Sequence, residues 1–262
     1  MSDDEKTLLA AVEAAIRKRP ELAKRIEEIG ALAQGKGWGT ATIAQEINCV
    51  QAVLKGPLTL AVDVGGNIGD YTATLRARYP DLEIHTFEPA QRNVARLRTR
   101  FAEDPGVRIV PLALSDKGTS TTLYSNVPGS GGASLTRRNL DHLNIRFDLE
   151  EKIVTTRFDD YWQAALQGRP IDLVKLDIEG HELDALNGFG DALAVTRVVQ
   201  FEFGGCNIDT RTYFRDFWYF FTERGFTLFR ITPFGAWRIR TYREAEENYV
   251  TTNFLAVRDP PG

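Results

Sequence analysis

The chain has 262 residues, 43% hydrophobic and 26% charged, with 36 acidic and 32 basic side chains for a formal net charge of −4. That composition suits a globular protein with a self-sufficient core, and the interleaved charge lacks the basic footprint of a nucleic-acid binder. Two cysteines, Cys49 and Cys206, make neither a disulfide framework nor a zinc spacing, and no apolar run approaches the ~18 residues of a membrane span. The acidic start Met1-Ser2-Asp3-Asp4-Glu5 is unlike a signal peptide, so a soluble protein in a reducing cytoplasm is expected.

Residues 3 to 55 carry helical patterns only. Leu8, Leu9, Val12, Ala15 and Ile16 recur at helical spacing, and Pro20 restarts a helix with Leu22, Ile26 and Ile29. Gly35-Lys36-Gly37-Trp38-Gly39 breaks the pattern, and a third helix is expected from Thr40 to Leu54, closed by Gly56-Pro57. The region 1–57 is thus an N-terminal helical extension that caps the core or another subunit of a homo-oligomer. In the competing reading it closes over a substrate, with Trp38 in contact. The main domain is expected over 58–262.

From Leu58 strands and helices alternate, with strands at 58–64, 82–88 and 107–112 and helices at 69–79 and 90–101. Arg92, Arg96, Arg98 and Arg100 of the second helix form a solvated basic face. Such alternation implies a parallel sheet with helices on both faces. Residues 115–157 interrupt it with strands at 119–124 and 152–156 around the glycine-rich 127–134, which reads as a mobile loop, either a lid or plain disorder. Strands at 171–178 and 197–203 and helices at 181–186 and 213–224 resume the rhythm. In the last of these helices Phe214, Phe217, Trp218 and Phe221 form a buried stripe, and Tyr219 faces elsewhere. Strands at 226–231 and 251–257 end the pattern as an antiparallel pair, with Gly235-Ala236 in a plain connection. The expected fold is an α/β, Rossmann-like sheet of seven mostly parallel strands with a terminal antiparallel hairpin.

The stretch 58–72 reads as strand, glycine turn and helix start, the layout of a nucleotide-type cofactor site. A dinucleotide G-x-G-x-x-G fingerprint set on Gly66 and Gly69 puts Val64 at its first glycine. The spacing that fits is Asp63-x-Gly65-x-Asn67-x-Gly69. A strand-end carboxylate repels a pyrophosphate but attracts the α-ammonium of S-adenosylmethionine, whose carboxylate suits a helix N-terminus. Asp63 is therefore expected to bind that ammonium, and Gly65, Gly66 and Gly69 to let the backbone approach the ligand, with Asn67 in the same turn. Glu88, ending the second strand, is placed to accept both ribose hydroxyls. Ala113, Leu114, Ser115 and Asp116 are the adenine neighbours. An NAD(P)-dependent oxidoreductase is the alternative, disfavoured by Val64, Asp63 and the lack of a Tyr-x-x-x-Lys pair. A cofactor-binding protein without turnover is another.

The segment Asp177-Ile178-Glu179-Gly180-His181-Glu182 carries the candidate chemistry. At a strand period of two, Asp177 and Glu179 share a face with Lys175 and form an ion network with it. His181 is the candidate general base, with Asp177 and Glu179 as alternatives. Asp177, Glu179 and Glu202 would offer hard oxygen ligands to Mg²⁺ if a metal is used. His85 and His142 read as structural. The end sequence Asp259-Pro260-Pro261-Gly262 superficially matches a base-methyltransferase Asp-Pro-Pro motif, but it follows the last strand and lacks the aromatic residue.

Together, 62–69, Phe87-Glu88-Pro89, 154–160 and 173–182 resemble the FkbM family of S-adenosylmethionine-dependent methyltransferases, over roughly 58–257. The resemblance implies a class I methyltransferase fold. It also implies O-methylation of a hydroxylated small molecule, a sugar or polyketide-type secondary metabolite; from the charge balance and the lack of a long apolar run, no nucleic acid or membrane is expected as partner.

Overall fold

The computed structural model describes residues 1–38, 43–54 and 56–259. The expected helix start at Thr40 and the Pro260-Pro261-Gly262 motif lie outside the described residues. Helices α1 (Asp3–Lys18), α2 (Leu22–Ala33) and α3 (Ile43–Val53) precede β1 (Leu60–Val64), α4 (Asp70–Arg78), β2 (Glu83–Phe87), α5 (Gln91–Arg100) and β3 (Val107–Val110). Next come β4 (Ala113–Leu114), β5 (Thr119–Ser125), β6 (Leu149–Thr156) and α6 (Phe158–Leu166). Then follow β7 (Ile171–Leu176), α7 (Glu182–Asn187), β8 (Thr196–Phe203), α8 (Cys206–Thr210) and α9 (Phe214–Thr222). The remaining strands are β9 (Phe226–Thr232), β10 (Gly235–Arg238) and β11 (Thr252–Arg258).

The main sheet has the order β10-β9-β11-β8-β7-β1-β2-β3. Strands β3, β2, β1, β7 and β8 pair in parallel, and β11 is antiparallel to both β8 and β9. This is the class I methyltransferase arrangement with its seven strands. One strand more is present, because Gly235-Ala236 begins β10, an antiparallel edge strand on β9. Gly235 makes this turn at φ 117, and the Thr232 hydroxyl donates to its carbonyl. A separate sheet, β4-β6-β5, is the insertion. Neither β4 nor α6 was legible in the pattern.

Aromatic rings fill one side of the sheet. Phe201 stacks between Phe217 and Phe254, with centroids 4.9 and 5.4 Å away. Of the expected stripe on α9, Phe214, Phe217 and Phe221 are fully buried, Trp218 is half-buried, and Phe220 joins them. Tyr219 is exposed, as its helical phase requires. Each fully buried ring contributes about 1.5–3 kcal/mol. On the other side α3 packs Ile47, Cys49 and Val50 against Tyr71, Leu75, Leu173 and Leu255. Helix α3 is thus part of the sheet's core, whereas α1 and α2 bury no residue and leave Leu8, Leu9 and Ile29 exposed. Among the described residues no helix is long and apolar enough to cross a membrane.

Candidate active site

The parallel strands bring the carboxyl ends of β1, β2 and β7 to one rim, where a cleft of about 570 Å³ opens. Such volumes are typical of ligand clefts. Gly65 and Asn67 line it after β1, Glu88 after β2, and Asp177 and His181 after β7. Leu112, Ala113, Leu114 and Leu123 make an apolar wall, and Ser130, Gly131 and Ala133 roof it.

The glycine turn is shaped by the protein around it. Gly65 has φ 84, and a Cβ there would stand 2.0 Å from the Asp177 carbonyl oxygen. At Gly66 a Cβ would meet Thr86 Cγ2 at 2.1 Å, and at Gly69 (φ 86) the Phe101 ring at 2.6 Å. The Gly65 and Gly66 N–H groups both donate to the Phe87 carbonyl, and the Asn67 N–H donates to Glu88 Oε2 at 2.8 Å. Gly65 and Asn67 line the cleft, whereas Gly66 and Gly69 are packed against Thr86 and Phe101. Glu88 is nearly buried, and its Oε1 also accepts from the Ala90 N–H. Burial pushes its carboxyl up to about 7, against the pull of those two N–H groups.

Below the cleft floor lies a buried ion network. Lys175 Nζ stands 3.0 Å from Asp177 Oδ2 and 4.0 Å from Asp63 Oδ1, over the Tyr71 ring. Burial alone would lower the lysine's pKa, but the two carboxylates outweigh it and hold the ammonium charged. Asp63 is 1% exposed, accepts from the Thr72 hydroxyl, and leaves Oδ1 without a hydrogen bond. It sits behind the wall of the cleft, so the carboxylate that reaches the cleft from this network is Asp177, 37% exposed. The network continues through the sheet. The Tyr71 hydroxyl donates to Gln200 Oε1, and Gln200 Nε2 donates to Glu46 of α3.

A family model described as the methyltransferase FkbM domain matches residues 63–228. The chain belongs to the FkbM methyltransferase family. It is 27% identical to the 2-O-methyltransferase NoeI of Sinorhizobium fredii, over 59% of this chain and 67% of that protein. It is 28% identical to methyltransferase sdnD of Sordaria araneosa, over 48% of this chain and 59% of that one. Methyltransferase 1 of Beauveria bassiana is 26% identical, over 50% and 58%. The matched part thus spans 58–67% of these relatives' lengths. Among solved structures, an rRNA methylase of Streptococcus thermophilus superposes with a TM-score of 0.44 at 12% identity, covering 84% of this chain and 97% of that one. A Streptococcus mutans protein described as a methyltransferase, solved in complex with SAH, gives 0.47 at 9%, covering 84% and 98%.

The methyltransferase's acceptor side departs from the strand-period reading. Strand β7 ends at Leu176, and Glu179 adopts φ 58 in the turn beyond it. Glu179 therefore does not share a face with Lys175 and Asp177. Its carboxylate turns away to accept from Cys206 Sγ and pairs with Arg138 Nη1 at 3.5 Å. Glu202 lies on β8, and burial beside Asp177, Glu179 and Glu182 raises its carboxyl pKa well above the ordinary range. Asp177, Glu179 and Glu202 do not converge as a Mg²⁺ ligand set: among the described residues no group of three His, Cys, Asp or Glu is arranged to hold a metal. Ser115 also misses the cleft, its hydroxyl bonding Asp116, whereas Ala113 and Leu114 line it.

His181 caps α7 and faces the cleft, its side chain 14% exposed. Its Nδ1 is 2.8 Å from Asp184 Oδ2, and its Nε2 is 3.0 Å from the Thr136 hydroxyl. The Asp184 contact fixes the tautomer, with Nδ1–H donating and Nε2 free to accept. Asp184 was legible as the residue one helical turn on, and Thr136 was not. The glycine-rich loop is folded over the cleft. Tyr124 and Ser134 bridge its ends, and the Ser134 hydroxyl donates to the Glu179 carbonyl. His85, as expected, is structural, held between Tyr161 and Glu83.

Glu182 pins the turn that carries these groups. Its buried carboxylate accepts the Ile178 N–H at 2.9 Å and the Gly180 N–H at 3.1 Å. Burial pushes it from its ordinary 4.5 up to about 8. A carboxyl raised on folding stabilises the protein below its unfolded pKa, and that contribution is lost as pH rises through the folded value. Stability against urea is therefore expected to decline from pH 5 to pH 8, and Glu182→Gln to flatten that slope. An unchanged slope in the variant would remove Glu182 as its source.

Proposed function

We propose that this cleft binds S-adenosylmethionine between Glu88 and Asp177, and that the chain transfers its methyl group to a hydroxyl of a sugar or secondary-metabolite-type small molecule. The observation that carries the reading is that these two carboxylates stand at the carboxyl ends of β2 and β7, either side of the glycine turn, with His181 on the same wall. The donor set fits the ligand. Glu88 suits a ribose diol, Asp177 suits an ammonium, and the leucine wall suits adenine. Asp177 thus takes the ammonium role that the sequence assigns to Asp63, and Asp63 keeps Lys175 in place.

The bound donor supplies an electrophilic methyl on a sulfonium. The chain's residues do the rest. The folded loop excludes water, and the strand ends hold the reactants in line, which converts a bimolecular step into a local one. The acceptor hydroxyl displaces Thr136 from His181 Nε2, which takes its proton as the oxygen attacks. Asp184 holds Nδ1–H and stabilises the resulting imidazolium.

Transfer of labelled methyl to a panel of glycosides and polyketide-like alcohols tests this directly. Saturable turnover on a neutral polyol supports it. A thermal shift with NAD, and none with S-adenosylhomocysteine, overturns it. Donor affinity also reports on Glu88. Only the ionised carboxylate accepts two hydroxyls, so the Kd for S-adenosylhomocysteine is expected to tighten roughly tenfold from pH 6 to pH 8. Glu88→Gln should weaken binding and erase that dependence; a variant that keeps it would sink the ribose assignment.

A further inference from the structure

At the opposite edge of the sheet, a second groove of about 620 Å³ lies between β9, β10 and the segment after β10. Strands β11 and β8 separate it from the strands that build the donor cleft. Arg230, Arg238, Arg240 and Arg243 line it together with Trp237, and Glu246 is the one acid among its lining residues. Four guanidiniums against one carboxylate is a local surplus of positive charge in a chain of net charge −4.

The pairing within the groove is incomplete. Glu246 is taken by Arg230 Nη2. Arg230 is 92% buried by side chain exposure of 8%, its Nη1 reaches the Gln34 carbonyl at 3.4 Å, and its Nε is buried with no partner. Arg238, Arg240 and Arg243 are exposed and make no side-chain hydrogen bond or ion pair among the described residues. The charge is felt nearby. Lys36 is lowered in pKa first by burial and then by the Arg230 cation. Trp237, 46% exposed, also lines the groove, with its ring stacked on that of Phe234 at a centroid distance of 6.4 Å.

We propose that this groove binds the phosphate group of a small phosphate ester. A carboxylate is satisfied by one guanidinium fork. Several forks converging on one groove match the three oxygens and double charge of a phosphate. Arg230 lines the groove with its Nε buried and unpartnered, the exposed Arg238, Arg240 and Arg243 supply the free forks, and Trp237 adds an aromatic surface for the organic part.

The test is calorimetric titration of the full chain with inorganic phosphate, a hexose phosphate and the free hexose, in chloride of matched ionic strength. One saturating site for phosphate and for the hexose phosphate, with none for the hexose, is the expected result. The exposed double variant Arg240→Gln/Arg243→Gln should weaken that site about tenfold or more, each lost charge-assisted bond contributing. Its affinity for S-adenosylhomocysteine should match the wild type, which separates this site from the donor cleft and shows that the variant is folded. Absence of saturable phosphate binding, or equal binding by the double variant, overturns the proposal. So does hexose binding as tight as that of its phosphate.

Discussion

Replacing His181 by alanine is expected to lower kcat by about 10²–10⁴-fold, the usual yield of a positioned general base. The Kd for S-adenosylhomocysteine should stay near the wild-type value, because the donor contacts are assigned to Glu88, Asp177 and the leucine wall and His181 to the acceptor hydroxyl. The effect is assigned to the proton through Asp184. The Asp184→Asn variant keeps a hydrogen-bond acceptor for Nδ1–H but loses the charge that favours imidazolium. It should lower kcat less than the alanine variant and move the acid limb of the kcat–pH profile to lower pH, because Nε2 becomes less basic, a shift that a purely structural loss would not produce. A profile identical to the wild type, at wild-type kcat, would leave His181 without its partner. Near-normal turnover in His181→Ala would return the base role to Asp177 or to water.

Gly65→Ala is the substitution expected to cost the fold most. Its φ of 84 costs a residue with a Cβ about 1–2 kcal/mol. The new atom would stand 2.0 Å from the Asp177 carbonyl oxygen, and that neighbour is backbone in a turn pinned by Glu182. Neither strand end can yield without opening the cleft. A combined loss of about 3 kcal/mol corresponds to a Tm lower by about 6–12 °C at this chain length, with donor binding lost as well. Gly225 supplies the control. It has φ 75 with open space around it, so Gly225→Ala carries the backbone strain without the clash. Equal Tm losses in the two variants would mean that the Asp177 contact contributes nothing.

Much of the fold was legible in the chain because hydrophobic period and turn chemistry agree along it. The glycine turn after β1, the acid ending β2 and the alternation of strands and helices all lie where expected. The failures have physical causes. Asp177 and Ile178 extend the run of β7 on paper, but the strand ends at Leu176 and Glu179 takes a positive φ in the turn beyond it, so the paired acids separate. Asp63 is read from its strand-end position and the spacing of the glycine turn, which do not show what packs beside it. Its neighbour across the sheet is Lys175, whose ammonium stands 4.0 Å from the Asp63 carboxylate, a pairing between strands that no local pattern encodes. The glycine-rich loop reads by composition as either a lid or plain disorder, and it lies against the cleft. What folds it are hydrogen bonds from Ser134 and Thr136 to partners 45 residues away, which no local pattern encodes. Strand β10 escaped because an exposed edge strand needs no apolar alternation.

The placement of β11 has a consequence for how the molecule assembles. The β9–β10 hairpin joins the main sheet only through β11, which is inserted between β9 and β8 although it follows both in the chain. Until residues 252–258 arrive, the sheet has two unpaired edges facing a gap one strand wide, at Phe201 and Phe229 among others. Closing that gap is a long-range pairing event that must follow formation of both halves, the kind of step that slows folding. During synthesis the catalytic half, β1 to β8, would therefore be ready first and wait, edge exposed, for its final strand.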